Sequence, residues 1–426
     1  MSIENLCMEK PRIISVDVLR GLTIMMMTIV NNPGDWEHIF SPLEHAAWHG
    51  WTPTDLVFPF FLFIVGISVV LSNPERTLDW KKLITRTLRI FLLGMALAFF
   101  SRIKIGELSG LGLLAIRLIY TAIMTVLLLG NYSFKKQFYV AIGLFMLTIF
   151  LCFGGFESFA HVRIPGVLQR ISLVFFIISL LYHFCSSRVL GALGLFFLIV
   201  YFVLMTQVPV PGFGAANVEV GKNLAAWLDH YLLPGHLWAT SKTWDPEGIL
   251  STIPALSTGI SGIFAGKILM HSHPRNSLYL ILIGLVCIVI GLCWDPYFPI
   301  NKSLWTSSFV MVSSGFAFLL TGILHELIEQ RNIKKWTSIF VIFGVNPMLV
   351  FFYSGIIPRA LNMIKIPVAG DPEHPELGLI SYVYRQAIEP YFTDLRWASL
   401  AGAMVYLLIW FVILYLFKRK NIIFKV

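Results

Sequence analysis

The sequence predicts an all-α, polytopic integral membrane helical bundle of about twelve transmembrane helices with both termini cytoplasmic. Three observations predict it. Hydrophobic residues make up 57% of the chain and charged residues 13%, against roughly 45–50% and about 25% in soluble proteins, which excludes an ordinary soluble fold. Apolar stretches near 20 residues long recur throughout, about the length that crosses a ~30 Å hydrocarbon core. Lys and Arg gather at alternate ends of these stretches, the bias that orients helices in a membrane. The formal charge of +9 is thus spread over span ends rather than over a polar module, which argues for membrane lipids and against nucleic acid as partners.

The first span, near 14–32, follows Lys10 and Arg12 and is stopped by Asn31-Asn32-Pro33-Gly34. It is too long, and too soon followed by others, for a cleavable signal. The loop Pro33 to Trp51 has no Lys or Arg and carries Asp35, Glu37 and Glu44, so it is expected outside. The second span, near 53–72, opens at Pro53-Thr54-Asp55, and the third, near 83–101, carries Arg86 and Arg89. The fourth and fifth, near 109–129 and 138–156, are joined by a segment holding Lys135 and Lys136. The sixth, near 165–184, starts at Pro165-Gly166, and the seventh, near 189–207, follows Arg188. The eighth, near 248–266, ends at Lys267; the ninth and tenth lie near 277–294 and 304–324. The eleventh, near 337–358, follows Lys334-Lys335 and contains Asn346-Pro347, a helix break whose depth the sequence leaves open. The twelfth, near 397–417, ends at Lys418-Arg419-Lys420.

One domain, 1–426, therefore accounts for the chain, with long outer segments near 208–247 and 359–396. Their Trp227, Trp238, Trp244, Tyr384 and Tyr391 argue for packed caps, because disordered segments are poor in aromatics. The five cysteines show neither metal spacing nor a disulfide framework, so no metal is expected.

A charge inside a span costs about 2.5–3.5 kcal/mol on insertion scales and needs a partner or water. Asp17 and Arg20, three apart, either form a structural ion pair or leave Arg20 to an anionic ligand from the cytoplasm. Arg86 and Arg89 either snorkel to headgroups or bind phosphate. Asp55 either caps the second span or orients one of His38, His45 and His49, fixing its tautomer and raising its basicity. Gln169 with Arg170, Asp245 with Glu247, and Asn301 with Ser303 are polar clusters at outer ends; the Asp245–Gly248 segment also reads simply as a helix start.

These residues resemble the transmembrane heparan-α-glucosaminide N-acetyltransferases and their bacterial relatives. The resemblance rests on Ser15-Val16-Asp17-Val18-Leu19-Arg20-Gly21, Val30-Asn31, the segment His45 through Trp48 and Gly50 to Thr52, and Asp55-Leu56-Val57-Phe58-Pro59. It continues in the blocks Arg163 to Arg170, Asp245 to Leu250, Gly266 to Leu269 and Asn301 to Trp305, in family order over about 13–420. The resemblance implies transfer of an acetyl group from cytoplasmic acetyl-CoA, as donor substrate, to the amino group of a terminal glucosamine-type sugar on the outer side. It makes His45 the catalytic histidine and Asn31 its partner, with Asp55 orienting the imidazole. Arg20, Arg86 and Arg89 would hold the CoA phosphates, and Trp48, His49, Gln169, Arg170, Asp245, Glu247 and Asn301 would line the acceptor site. A bacterial relative would sit in the plasma membrane, and a homodimer is left open. His49 stands where the animal enzymes carry Asn, Asn32-Pro33 replaces a different pair, their long luminal amino-terminal part has no counterpart, and two spans, about 109–156, read as inserted.

The chemistry suits the residues. Imidazole, with an unperturbed pKa of ~6.5, takes an amine proton near neutrality, and the Asn31 amide can hold a developing oxyanion. Two other readings compete. A secondary transporter would also use many spans and broken helices, although its site belongs at the midplane rather than at an outer mouth. A membrane O-acyltransferase acting on surface glycans would accept hydroxyls instead of amines.

Overall fold

The computed structural model describes residues 13–271, 273–368 and 375–424. The spans, in order, are α1 (Ile14–Asn31), α2 (Val57–Ser72, entered through a 3-10 turn at Pro53–Leu56), α3 (Trp80–Phe100), α4 (Gly110–Leu129), α5 (Phe134–Phe153), α6 (Val167–Phe184) and α7 (Ser187–Gln207). After the short α8 (Leu224–Leu232) come α9 (Thr252–Met270), α10 (Asn276–Trp294) and α11 (Ser307–His325), which is prolonged by a π turn at Glu326–Gln330. The pair α12 (Thr337–Val345) and α13 (Pro347–Leu361) bends by 76° at Asn346. A small cap of β1 (Lys365–Pro367), β2 (Glu376–Gly378) and α14 (Leu379–Ala387) precedes α15 (Leu395–Arg419).

Among the described residues, eleven of these helices are long and apolar enough to cross a membrane, and the bent pair is either a broken twelfth span or a re-entrant loop. The protein is a multi-pass membrane bundle. Ile13 and Phe424 both line the same cavity of the bundle. Which face is outside is set by charge, and it is open to test. With Lys334 and Lys335 on the face opposite His45, a single cysteine replacing His45 is expected to react with an impermeant maleimide on intact cells, and one replacing Lys334 only after permeabilisation. The reverse pattern would overturn the orientation.

Small residues set the helix spacing, as they do where lipid supplies no hydrophobic drive between helices. A Cβ on Gly262 would stand 1.9 Å from the Phe63 carbonyl oxygen, so α9 packs backbone to backbone on α2. Gly21 meets Phe340 in the same way, and Gly344 meets Asp17, which seats α12 across the first half of α1. At the bend, Pro347 starts α13 where it needs no donor. The Asn346 amide replaces the missing ladder: its Oδ1 accepts the Phe424 N–H (2.8 Å) and its Nδ2 donates to the Ile422 carbonyl (3.3 Å). The break therefore lies beside the carboxy-terminal segment, near the mouth opposite His45.

Helices α4 and α5, the two spans read as inserted, are peripheral: 22% and 11% of their most apolar 18-residue stretches are buried, against 72% for the Ser307–Gln330 span. Arg89 belongs to them. Its Nε donates to the Leu128 carbonyl (2.7 Å), its Nη1 to Gln137 Oε1 (3.0 Å) and its Nη2 to the Gly130 carbonyl (3.4 Å). The expectation that Arg89 faces CoA phosphates is thus corrected. The end of α4 leaves carbonyls without helical partners, and the buried guanidinium of α3 satisfies them.

The two long connecting segments hold ordered elements among their described residues. The first contains α8, capped by Asn223 Oδ1 accepting from Ala226 N–H (3.0 Å). The second contains the hairpin, in which Ile366 faces Leu377, and α14.

Candidate active site

On one face of the bundle, the chain between α1 and α2 is fixed at both ends. At its start, the Gly34 N–H donates to the Ser399 carbonyl (3.0 Å). At its end, Gly50 takes φ +91°, a conformation glycine adopts without strain, and donates its N–H to the Ile300 carbonyl (2.7 Å). That bond lays the loop against the α10–α11 connection.

Asp55 organises the loop. Its Oδ1 meets His45 Nδ1 at 2.7 Å, and its Oδ2 accepts the N–H groups of Ala46 (3.1 Å) and Thr52 (3.0 Å). Both readings of Asp55 are combined here, since the Thr52 and Asp55 side chains form a reciprocal capping box and the same carboxylate binds the imidazole. Asp55 is 1% exposed, whereas the His45 side chain is 51% exposed; the carboxylate is scaffold and the ring is presented to solvent. An acceptor at Nδ1 selects the tautomer that leaves Nε2 as the basic nitrogen.

Lys302 was not singled out from the sequence, although it lies inside the Asn301–Trp305 block. Its Nζ stands 3.2 Å from His45 Nδ1, 3.3 Å from Nε2 and 3.8 Å from Asp55 Oδ1. Burial pushes the Lys302 ammonium pKa down, against the opposing pull of Asp55 and Glu247. The turn that carries it is built by Asn301, whose Oδ1 accepts the Leu304 N–H (2.8 Å), and by Trp305, buried at φ +55°. Left-handed backbone at a large residue costs of order 1–3 kcal/mol and persists only where packing imposes it.

Beside this lies a buried ionic cluster. Arg163, also unassigned in the sequence reading, makes a bidentate pair with Asp245 (2.8 and 2.5 Å) and a further bond to Glu247. Burial raises the Glu247 carboxyl, but Arg163, Arg170 and Lys302 outweigh it and hold the group below its usual range. Asp229, on α8, accepts the Ile249 N–H (2.8 Å), and burial pushes its carboxyl up to about 7. Arg170 is fully buried over the Trp305 ring and donates to the Gly248 carbonyl (2.9 Å) and to Ser251. The helix-start reading of Asp245–Gly248 and the polar-cluster reading therefore coincide.

The other expected acceptor residues divide. Trp48 donates to the Val218 carbonyl (2.9 Å) and packs on Trp244 at 5.3 Å, joining the His45 loop to the first cap; His49 is exposed beside it. Asn31 ends α1 on the same face with its side chain exposed. Asn301 shapes the turn from within. Gln169 is not brought to this face's surface: it is buried against Gly94, with Nε2 3.4 Å from the Met95 sulfur, because the glycine leaves a slot of amide size between α3 and α6.

The opposite face opens into a cavity of about 1160 Å³, above the roughly 300–1,000 Å³ of common small-ligand sites. Arg20, Arg86, His271 and His325 stand at its mouth; Phe61 and Leu168, each within about a turn of its helix start on the His45 face, line its far end. Arg20 both pairs with Asp17 (3.2 Å) and donates to the Gly344 carbonyl (3.0 Å), so the ion pair and the cavity-lining position are compatible. Arg86 lies over the Phe175 ring at 4.8 Å.

These features define a class: a polytopic helical membrane protein with a histidine–carboxylate pair on one face and a deep, partly cationic cavity entering from the other. The chain belongs to the family described as heparan-α-glucosaminide N-acetyltransferase, catalytic, whose model matches residues 12–293. It is similar to the heparan-α-glucosaminide N-acetyltransferase of Homo sapiens, 26% identical over an alignment covering 98% of this chain and 60% of that protein. The same-named protein of Mus musculus is also 26% identical, over 80% of this chain and 53% of its own length. The chain thus spans little more than half the length of these relatives.

Proposed function

We propose that the protein is an acetyltransferase that moves an acetyl group from acetyl-CoA, bound in the deep cavity, to the amino group of a terminal glucosamine-type sugar at His45. The observation that carries the reading is the cavity itself. It is lined by Arg20 and Arg86 and also by Phe61 and Leu168, near the turn that holds Asp55. A donor with a phosphate-rich head and a long thin arm fits such a shape, because the phosphates must stay out of hydrocarbon while the thioester crosses it.

In this reading Asp55 holds Nδ1–H, and Nε2 accepts the proton of the attacking amine. The amine nitrogen bonds to the acetyl carbonyl carbon, the C–S bond breaks, and the CoA sulfur leaves as the thiol, taking back the proton held on Nε2. Asn31 donates to the carbonyl oxygen as it gains charge. The cluster of Arg163, Asp245 and Glu247 lies beside the acceptor. Direct transfer and an acetyl-His45 intermediate use the same groups. The side of each substrate follows from the charge bias: CoA from the cytoplasm, sugar from outside.

The test is formation of N-acetylglucosamine by purified protein from acetyl-CoA and glucosamine; acetyl-CoA binding without any product from amino or hydroxyl sugars would reject it. Product only from hydroxyl acceptors would instead select the O-acyltransferase reading. A second expectation separates the three arginines. Neutralising Arg86, which makes no ion pair among the described residues, is expected to weaken acetyl-CoA binding about tenfold, as loss of one charge-assisted phosphate contact does. Arg20→Gln is expected to do the same with some loss of stability, since it removes the ion pair with Asp17. Arg89→Gln should destabilise the fold and leave donor affinity unchanged in the folded fraction. Isothermal titration with acetyl-CoA checks all three; unaltered affinity in Arg20 and Arg86 variants would remove the cavity mouth from donor binding.

A further inference from the structure

Lys302 has no role in the reading above, yet its ammonium is as near to both nitrogens of His45 as a hydrogen-bond partner would be. We propose that Lys302 is a positioning residue that sets the protonation of His45, its positive charge opposing the imidazolium and keeping the ring a neutral base. The inference rests on the transferase reading only for its consequence in catalysis.

The argument starts from Asp55. A buried carboxylate 2.7 Å from Nδ1 favours the protonated ring, and an imidazolium cannot take a proton from the acceptor. A cation at 3.2–3.3 Å counters that pull, because a like charge at this distance disfavours the charged form. The counter-charge is held in place. The Lys302 side chain is only 20% exposed, its backbone sits in the turn fixed by Asn301 and Trp305, and the Gly50–Ile300 bond ties that turn to the His45 loop. Among the described residues, Asp55 and Lys302 are the charged groups in contact with the ring; Lys302 in turn feels Glu247 and Arg163. Glu44, next to His45 in the loop, is exposed, and its backbone is tied on both sides, its carbonyl accepting from Thr52 Oγ1 and its N–H donating to the Ser41 carbonyl. Two opposed charges around one imidazole are a means of tuning its basicity.

The test reads the ring directly. Diethylpyrocarbonate acylates neutral imidazole, so its rate at His45, followed by peptide mass against pH, titrates that one residue in the full-length protein. Lys302→Met, or Lys302→Gln where the first variant folds poorly, is expected to move the midpoint up by about one pH unit, and Lys302→Arg to leave it near the native value. The acidic limb of kcat/KM for glucosamine should move in parallel, giving roughly tenfold less transfer below the limb, with acetyl-CoA affinity unchanged. A midpoint that stays put in Lys302→Met or Lys302→Gln overturns the proposal, even with transfer lost. Absence of transfer by the native protein would instead reject the transferase reading, while the carbethoxylation titration would still decide the role of Lys302.

Discussion

Replacing His45 by alanine is expected to abolish acetyl transfer while the protein folds and binds acetyl-CoA as before. Folding survives because Asp55 keeps other partners: the Ala46 and Thr52 N–H groups and the nearby Lys302 ammonium. Donor binding survives because His45 is not among the residues lining the cavity. The size of the defect also reports on mechanism. Loss of general acid–base assistance alone is worth about 10²–10⁴ in rate, whereas loss of an obligatory acetyl carrier removes turnover to background. His38→Ala is the matched control, since His38 also pairs with a carboxylate, Asp35, at 2.6 Å; it and His49→Ala should be much milder. Steady-state transfer with purified variants, alongside acetyl-CoA titration, gives both quantities. Near-native turnover by His45→Ala would eliminate the mechanism.

The second large effect is on stability. Arg163→Met leaves Asp245 and Glu247 facing each other with their side chains 0% and 8% exposed. Removing one member of a buried ionic group costs about 3–5 kcal/mol, because the remaining charge has lost its compensation. The loss falls at the start of α9, where Gly248 and Ser251 also accept from Arg170, so the outer end of the bundle should loosen first. A thermal melt in detergent is expected to show a marked fall for Arg163→Met and substantial recovery when Asp245→Asn and Glu247→Gln are added, since neutral amides do not repel. An unchanged melting temperature in the single variant would show that the cluster is not a stabilising element.

Most of the fold was legible because membrane spans are declared locally. An uninterrupted apolar run has one compact solution in lipid, a helix that satisfies its own backbone, so runs such as 53–72 and 109–129 return almost unchanged as helices. The pairing of Asp55 with a histidine was likewise open to inference, as they lie ten residues apart in a loop closed by a helix start. Arg89 and Gln169 were misplaced for a common reason. Sequence gives a polar residue's depth along a span but not its azimuth, and it was the carbonyls at the end of α4 and the slot at Gly94 that claimed them.

The sequence by itself determined the all-α membrane bundle, the break at Asn346-Pro347 and the family, all of which depend on composition, periodicity and short contiguous motifs. Only the tertiary structure decided that Lys302, 257 residues from His45 along the chain, stands beside its ring, that Arg163 reaches both Asp245 and Glu247, and that a cavity runs from Arg20 to Leu168. The physical reason is that these are meetings between helices. Their geometry is set by where small residues let backbones approach, as at Gly262 on Phe63, and by which loops are tied across the face, as Gly50 is to Ile300; neither is encoded in the spacing of residues within one segment.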